Sequence, residues 1–214
     1  MRILVLTDSL GLPRSRPEFC AFEDTWPILL KNKFRQVHQV SIGAATTEVL
    51  LKQIRYQNAF MPDLAIVQVG IVDCVPRFMS TKELNFTSAL GSVGKALRFM
   101  LNRKWIRRLR NISFVKVTEF EINLKLLAEE LNCPVIVIGI LPASSDYEKL
   151  LPGVVLKISE YNKVLKSNFA YYLDTNDFIE IDGIMTDHHH LNQTGQHIIY
   201  KRLEAILDKH FTNG

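Results

Sequence analysis

The stretch Arg2-Ile3-Leu4-Val5-Leu6-Thr7-Asp8-Ser9-Leu10-Gly11 decides how this 214-residue chain is read. Residues 3–6 are apolar without alternation, which predicts a strand buried on both faces, as in a parallel sheet covered by helices. Thr7-Asp8-Ser9 ends the run. Residues 7–11 are therefore expected to form the loop at the strand's C-terminal end, the edge on which open α/β sheets build their sites. The run is too short for the apolar region of a secretion signal.

Further along, residues 36–42 alternate and predict a second strand, followed by the small-residue loop Gly43-Ala44-Ala45-Thr46-Thr47 and a helix near 47–57. Residues 63–69 and 134–141 read as two more buried strands, the first ending in Gly70-Ile71-Val72-Asp73 and the second followed by a loop from Pro142 to Gly153. Residues 178–181 (Phe-Ile-Glu-Ile) predict a short last strand. Helices are expected over 22–34, with Asp24 as its cap, and over 88–110, 115–131, 154–168 and the C-terminal segment. Strands alternating with helices predict one domain over 1–214, a three-layer α/β/α sandwich with a parallel sheet and right-handed crossovers. In such a sheet the loops at Ser9, Gly43, 70–73 and 187–190 share one edge, so residues some 180 positions apart can meet.

Composition sets broad limits. A hydrophobic fraction of 47% and a charged fraction of 22% are those of an ordinary globular protein. No run approaches the roughly 18 apolar residues of a membrane span. Cys20, Cys74 and Cys133 are odd in number and widely spaced, which fits a reducing compartment and an expected cytoplasmic location. The net charge is +4, yet Lys95, Arg98, Arg103, Lys104, Arg107, Arg108 and Arg110 give residues 88–110 a charge of +7 with no acid, leaving −3 for the rest by subtraction. That segment reads in three ways: a helix lying on an anionic membrane surface, a contact for a charged substrate, or a solvated helix whose arginines pair with acids elsewhere. Phe99 and Trp105 are too little aromatic interleaving for nucleic acid.

Asp187-His188-His189-His190-Leu191-Asn192 carries the clearest chemistry. His190 and Asp187 can sit side by side on a tight turn, the carboxylate accepting from one imidazole nitrogen while the other faces Ser9. That is the arrangement a serine nucleophile needs. Three consecutive histidines also raise a transition metal, but adjacent side chains diverge, and no metal or other cofactor is expected. His188 and His189 read as exposed loop residues, and His38 and His197 as structural or surface groups.

Four blocks, in order and at fitting spacing across nearly the whole chain, resemble those of the SGNH, or GDSL, hydrolases. Thr7-Asp8-Ser9-Leu10-Gly11 resembles the first, with Thr7 where glycine is usual. Gly43 resembles the glycine of the second, and Gly70-Ile71-Val72-Asp73 the third, G-x-N-D. The 187–192 stretch with Gly195 resembles the last, D-x-x-H-L-N-x-x-G. The resemblance implies a flavodoxin-like α/β/α fold and ester hydrolysis through an acyl-serine. Ser9 would be the nucleophile, His190 the base and Asp187 its orienting carboxylate, with the amides of Ser9 and Gly43 as oxyanion donors. It also marks a departure, because Val72 stands where the family has an asparagine donor. Losing one such donor costs about 10²–10³ in rate. Either two backbone donors suffice, or Gln68, Asn192 or Arg77 reaches in, or the site is slow or inactive.

On the substrate side the candidates are Asp73, Arg77 and Asn192. Asp73 reads first as holding its loop through backbone amides, and Arg77 first as a solvated arginine, with an anionic substrate group as its alternative partner. The expected substrate is a small-molecule or glycan ester, with an O-acylated carbohydrate favoured because no long apolar lid-like segment is evident. An acyltransferase using a sugar hydroxyl, or a non-catalytic binding protein, are the alternatives.

Overall fold

The computed structural model describes residues 1–211. Its chain runs through β1 (Ile3–Thr7), α1 (Trp26–Lys33), β2 (Val37–Ser41), α2 (Thr47–Gln57), β3 (Leu64–Gln68), α3 (Ile71–Cys74), α4 (Thr81–Ala89), α5 (Gly91–Leu101), α6 (Lys104–Arg110), α7 (Val117–Leu131), β4 (Val135–Ile138), α8 (Ser145–Leu150), α9 (Val154–Asn168), β5 (Tyr171–Leu173) and α10 (Gln193–His210). The five strands form one all-parallel sheet in the order β2-β1-β3-β4-β5. The chain leaves β1 on one side to make β2 and returns on the other to make β3. That reversal of direction opens a crevice at the C-terminal ends of β1 and β3.

β1, β3 and β4 are buried along their whole length, as their unbroken apolar runs require. Each face carries its own core. On one face Leu4, Leu6, Ala65, Val67, Val135 and Val137 pack under α2, α7 and α9, through Leu50 and Ile54, Phe120, Leu124 and Leu127, and Ile158, Tyr161 and Leu165. On the other, Ile3, Val5, Ile66, Ile136 and Ile138 meet Trp26 and Leu30 of α1 and Ile199, Leu203 and Leu207 of α10. The four-residue spacing in α10 puts its three apolar side chains on one stripe. No helix among the described residues is long and apolar enough to cross a membrane.

Four local expectations need correction. Residues 178–181 are not a strand; the last strand is β5, and Phe178 is a buried plug in the loop that follows it. The 22–34 segment divides into a 3-10 turn at Phe22–Asp24 and α1, and Asp24 does not cap it. Its carboxylate accepts from Gln193 Nε2 instead, at 2.9 Å. The loop from Pro142 to Gly153 contains α8, capped by Ser144. The single helix expected over 88–110 is three pieces. Gly91, at φ 58°, reverses the chain between α4 and α5. Gly94 lets them touch, since a Cβ there would lie 1.6 Å from the Thr87 carbonyl oxygen.

Candidate active site

The Ser9 loop is set by its own short side chains. Asp8 Oδ1 accepts from Leu10 N at 2.9 Å, capping a single 3-10 turn over Ser9–Gly11. Thr7 fits where a glycine is usual because its hydroxyl donates to Ser41 Oγ at 2.7 Å on the neighbouring strand. Gly11 then has to be glycine, since a Cβ would fall 2.3 Å from Thr7 Oγ1.

The partner segment arrives from β5, at the far edge of the sheet, and must cross back to β1. The antiparallel bridge Ile184↔Leu191 and the Met185 N–His190 O bond at 2.7 Å close it into a tight loop. Asn192 Oδ1 caps α10 by accepting from Gly195 N, while its Nδ2 donates to Asp182 O. Buried Gln196 then fastens α10 to the nucleophile loop: its Nε2 donates to Leu10 O at 3.0 Å and its Oε1 accepts from Trp26 N at 3.0 Å.

The result is a continuous relay. Ser9 Oγ lies 2.9 Å from His190 Nε2, and His190 Nδ1 lies 2.7 Å from Asp187 Oδ2. The other carboxylate oxygen accepts from His190 N at 3.1 Å and His189 N at 3.3 Å. Burial opposes ionisation of Asp187, but the His190 hydrogen bond and charge outweigh it and hold the carboxyl well below its usual range. His190 is pushed below the ordinary histidine value, first by burial, with the charges of His189 and Arg14 adding to it and Asp187 opposing. A neutral imidazole facing a serine hydroxyl is the resting state of a general base.

Gly43 and Ala44 are the central residues of a turn closed by Ala45 N donating to Ile42 O at 3.1 Å. Ala44 holds φ 59°, the left-handed region that non-glycine residues rarely adopt. Both residues line a cleft of about 560 Å³ together with Ser9, His190 and Asp187. Its wall is largely apolar: Ile71, Val72, Val75, Phe114 and Leu151.

The residues expected on the substrate side separate. Asp73 is fully buried and accepts from Thr47 N at 2.9 Å and Thr47 Oγ1 at 2.7 Å, which pins the start of α2 and removes it from substrate contact. Burial raises its carboxyl to about 6 against those bonds. Asn192 is spent on its cap. Arg77 does line the cleft, stacked 4.3 Å over the Phe114 ring, and no carboxylate pairs with it among the described residues. Gln68 cannot replace the donor missing at Val72, because it lies buried in the core with its Oε1 accepting from Trp26 Nε1 at 2.7 Å. No asparagine or glutamine among the described residues lines the cleft.

Arg14 is the site residue that sequence reading missed. Its guanidinium contacts His190 Nε2, the same nitrogen that faces Ser9, and its Nε has no partner among the described residues. Nothing in Leu12-Pro13-Arg14-Ser15 marks it. The Arg14–Cys20 backbone pair closes this loop, and Glu18 Oε1, accepting from Thr186 N at 2.7 Å, holds it against the His190 segment. His188 and His189 are not exposed either, since both rings stack on Tyr147, at 5.7 and 5.9 Å. Asp187, His189 and His190 bring ligand atoms within 4.8 Å of one another, as a metal would require. The Nδ1 atoms of both histidines are already engaged, His190 with Asp187 Oδ2 at 2.7 Å and His189 with Asp187 O at 2.8 Å.

No protein-family model matches the sequence, and no curated protein matches it. Solved structures do. A lipase/acylhydrolase from Enterococcus faecalis superposes with a TM-score of 0.66 at 18% identity, over 98% of this chain and 96% of that one. A GDSL-like lipase from Bacteroides thetaiotaomicron does so at 0.60 and 14%, over 97% and 88%. The chain has the SGNH, or GDSL, hydrolase fold. A psychrotrophic esterase, EstA, from a Pseudoalteromonas species is similar too, with a TM-score of 0.56 at 17% identity over 99% of both chains. At these identities the likeness is one of SGNH architecture. The chemistry rests on this chain's own residues.

Proposed function

We propose that this SGNH-fold protein is a serine-dependent ester hydrolase. The observation that carries the reading is the unbroken Ser9–His190–Asp187 relay, at 2.9 and 2.7 Å. Ser9 Oγ attacks the ester carbonyl while His190 Nε2 takes its proton, and Asp187 steadies the imidazolium that forms. The Ser9 and Gly43 amides receive the oxyanion. His190 returns the proton to the departing alcohol, then activates the water that releases the acid from Ser9.

Arg14 stands in part for the donor absent at Val72. It places a fixed positive charge beside the centre where negative charge develops, which stabilises that charge. As a donor only, it competes with the Ser9 hydroxyl for His190 Nε2, so it must turn off that nitrogen for the proton to move.

The acyl side of the substrate is apolar. Val72, Val75, Ile71 and Phe114 offer no hydrogen bonds for sugar hydroxyls. The preference for a carbohydrate finds no support in this apolar lining. A lipophilic acyl ester therefore fits better. Unpaired Arg77 is free to meet an anionic group on it.

The test is turnover of p-nitrophenyl esters of increasing chain length, with fluorophosphonate labelling, in the native chain and in Ser9→Ala. Labelling and turnover are expected only with Ser9 present, and longer acyl chains should lower KM. Equal turnover by Ser9→Ala would remove Ser9 from the reaction.

A further inference from the structure

The segment α4–α6 gathers eight exposed large apolar side chains into one stretch of chain, where the exposed apolar residues elsewhere are scattered. Val93, Leu97 and Met100 of α5, with Leu90 at its N-cap, recur at helical spacing, and that stripe, which would normally face a core, is exposed, Val93 at 69%. Phe86 on α4, and Phe99, Trp105 and Leu109 beyond the stripe, are exposed as well, the last three at 76%, 66% and 77%. Most of the cations among them have no carboxylate partner among the described residues. Of the seven between 88 and 110, only Arg110 meets a carboxylate among the described residues, Glu83 at 2.8 Å. Arg107 is used structurally, donating to Pro76 O and Asn102 Oδ1. Lys95, Arg98, Arg103, Lys104 and Arg108 remain without an acid. The reading of this segment as a solvated helix with paired arginines therefore fails.

We propose that α4–α6 is an interfacial anchor that seats the protein on an anionic lipid surface. The apolar stripe and rings would enter the acyl boundary, and the long basic side chains would reach the headgroup phosphates, the division that amphipathic surface helices make. A second copy of the chain is a poor occupant, because two faces that each carry five unpaired cations repel. The arm is rooted beside the cleft. Arg107 donates to Pro76 O at 3.1 Å, Arg110 to Phe78 O at 2.9 Å, and Ile112 pairs with Arg77, which lines the cleft. Binding would thus bring the cleft rim to the lipid.

Co-sedimentation of the full chain with vesicles of neutral phosphatidylcholine alone, and with about one-third phosphatidylglycerol, tests this. Trp105 emission serves as a second readout, Trp26 being fully buried in the core. Binding to the anionic vesicles alone is expected, with a blue shift of Trp105. It should weaken as salt rises from about 0.1 to about 1 M and the Debye length falls from about 10 to about 3 Å. The triple change Arg103→Gln, Lys104→Gln, Arg108→Gln should weaken binding about a hundredfold. The exposed pair Phe99→Ser, Leu109→Ser should abolish the blue shift while leaving turnover of a water-soluble ester unchanged. Ser9→Ala should bind as the native chain does, so a failure of the hydrolase reading would leave this one standing. No binding to either vesicle, equal binding to both, or a Trp105 blue shift that follows protein concentration alone, as for a dimer, would overturn it.

Discussion

Phe120 and Phe99 each sit on an amphipathic helix, and they fare in opposite ways. Phe120, on α7, is completely buried, 4.9 Å from the Tyr161 ring under the sheet. Phe99, on α5, is three-quarters exposed, on a helix that packs on α4 and leaves its apolar stripe bare. The two helices have similar hydrophobic patterns, so the pattern alone did not decide their environment. A stripe is buried only if the topology brings another apolar surface to it. The sheet does so for α2, α7 and α9, and nothing among the described residues does so for α5.

The comparison can be broken at several points, and the largest effect belongs to the sheet edge. Asp187→Asn keeps the loop but places the wrong tautomer on His190. kcat toward a p-nitrophenyl ester should fall by about 10⁴ with the fold intact by circular dichroism. Next is the core. Phe120→Ala should destabilise by about 3–5 kcal/mol in urea unfolding, from lost burial and the cavity left behind. A cost below about 1 kcal/mol would mean that this face is not the close-packed layer described here.

Asp8 gives a pH-dependent effect of intermediate size. Burial raises its carboxyl to about 7, and Oδ2 has no hydrogen-bond partner among the described residues. Between the unfolded value near 4 and about 7 the folded chain binds the extra proton. Stability from this group is therefore full below that window and is lost as pH rises through 7, by a few kcal/mol (about). Asp8→Asn should flatten that decline and raise Tm at pH 8; an unchanged profile would show that Asp8 is not the group responsible. Arg14→Gln tests the site's electrostatics. Removing the cation beside His190 lets its pKa rise, so the acid limb of kcat/KM should move to higher pH. A shift the other way would place Arg14 off His190 in solution. The smallest effect returns to the arm, where Phe99→Ala should change stability by less than about 0.5 kcal/mol.

Much of the site was legible because it depends on local chemistry. Ser9 follows an unbroken apolar run, and Asp187 and His190 are close enough in sequence to share a turn. The four-block pattern then pointed to the fold. Asp73 braces its loop through Thr47 N, the role its sequence reading puts first, and its alternative as a substrate contact falls away, as does that of Asn192, which caps the helix that it opens. Other residues took roles set by partners far along the chain. His188 and His189 stack on Tyr147. Gln196, which ties α10 to the nucleophile loop, and Arg14, which sits on His190, carry no sequence signal.

By itself the sequence determined the alternation of strands and helices, the parallel sheet and the identity of the relay, because hydrophobic period and residue spacing are local properties. Only the tertiary structure decided that 178–181 is a plug and not a strand, that the cleft with Val72 also holds Arg14 and no side-chain amide among the described residues, and that the apolar stripe of α5 faces solvent. Each of those depends on which surfaces the chain brings together over long separations, and neither period nor spacing encodes that.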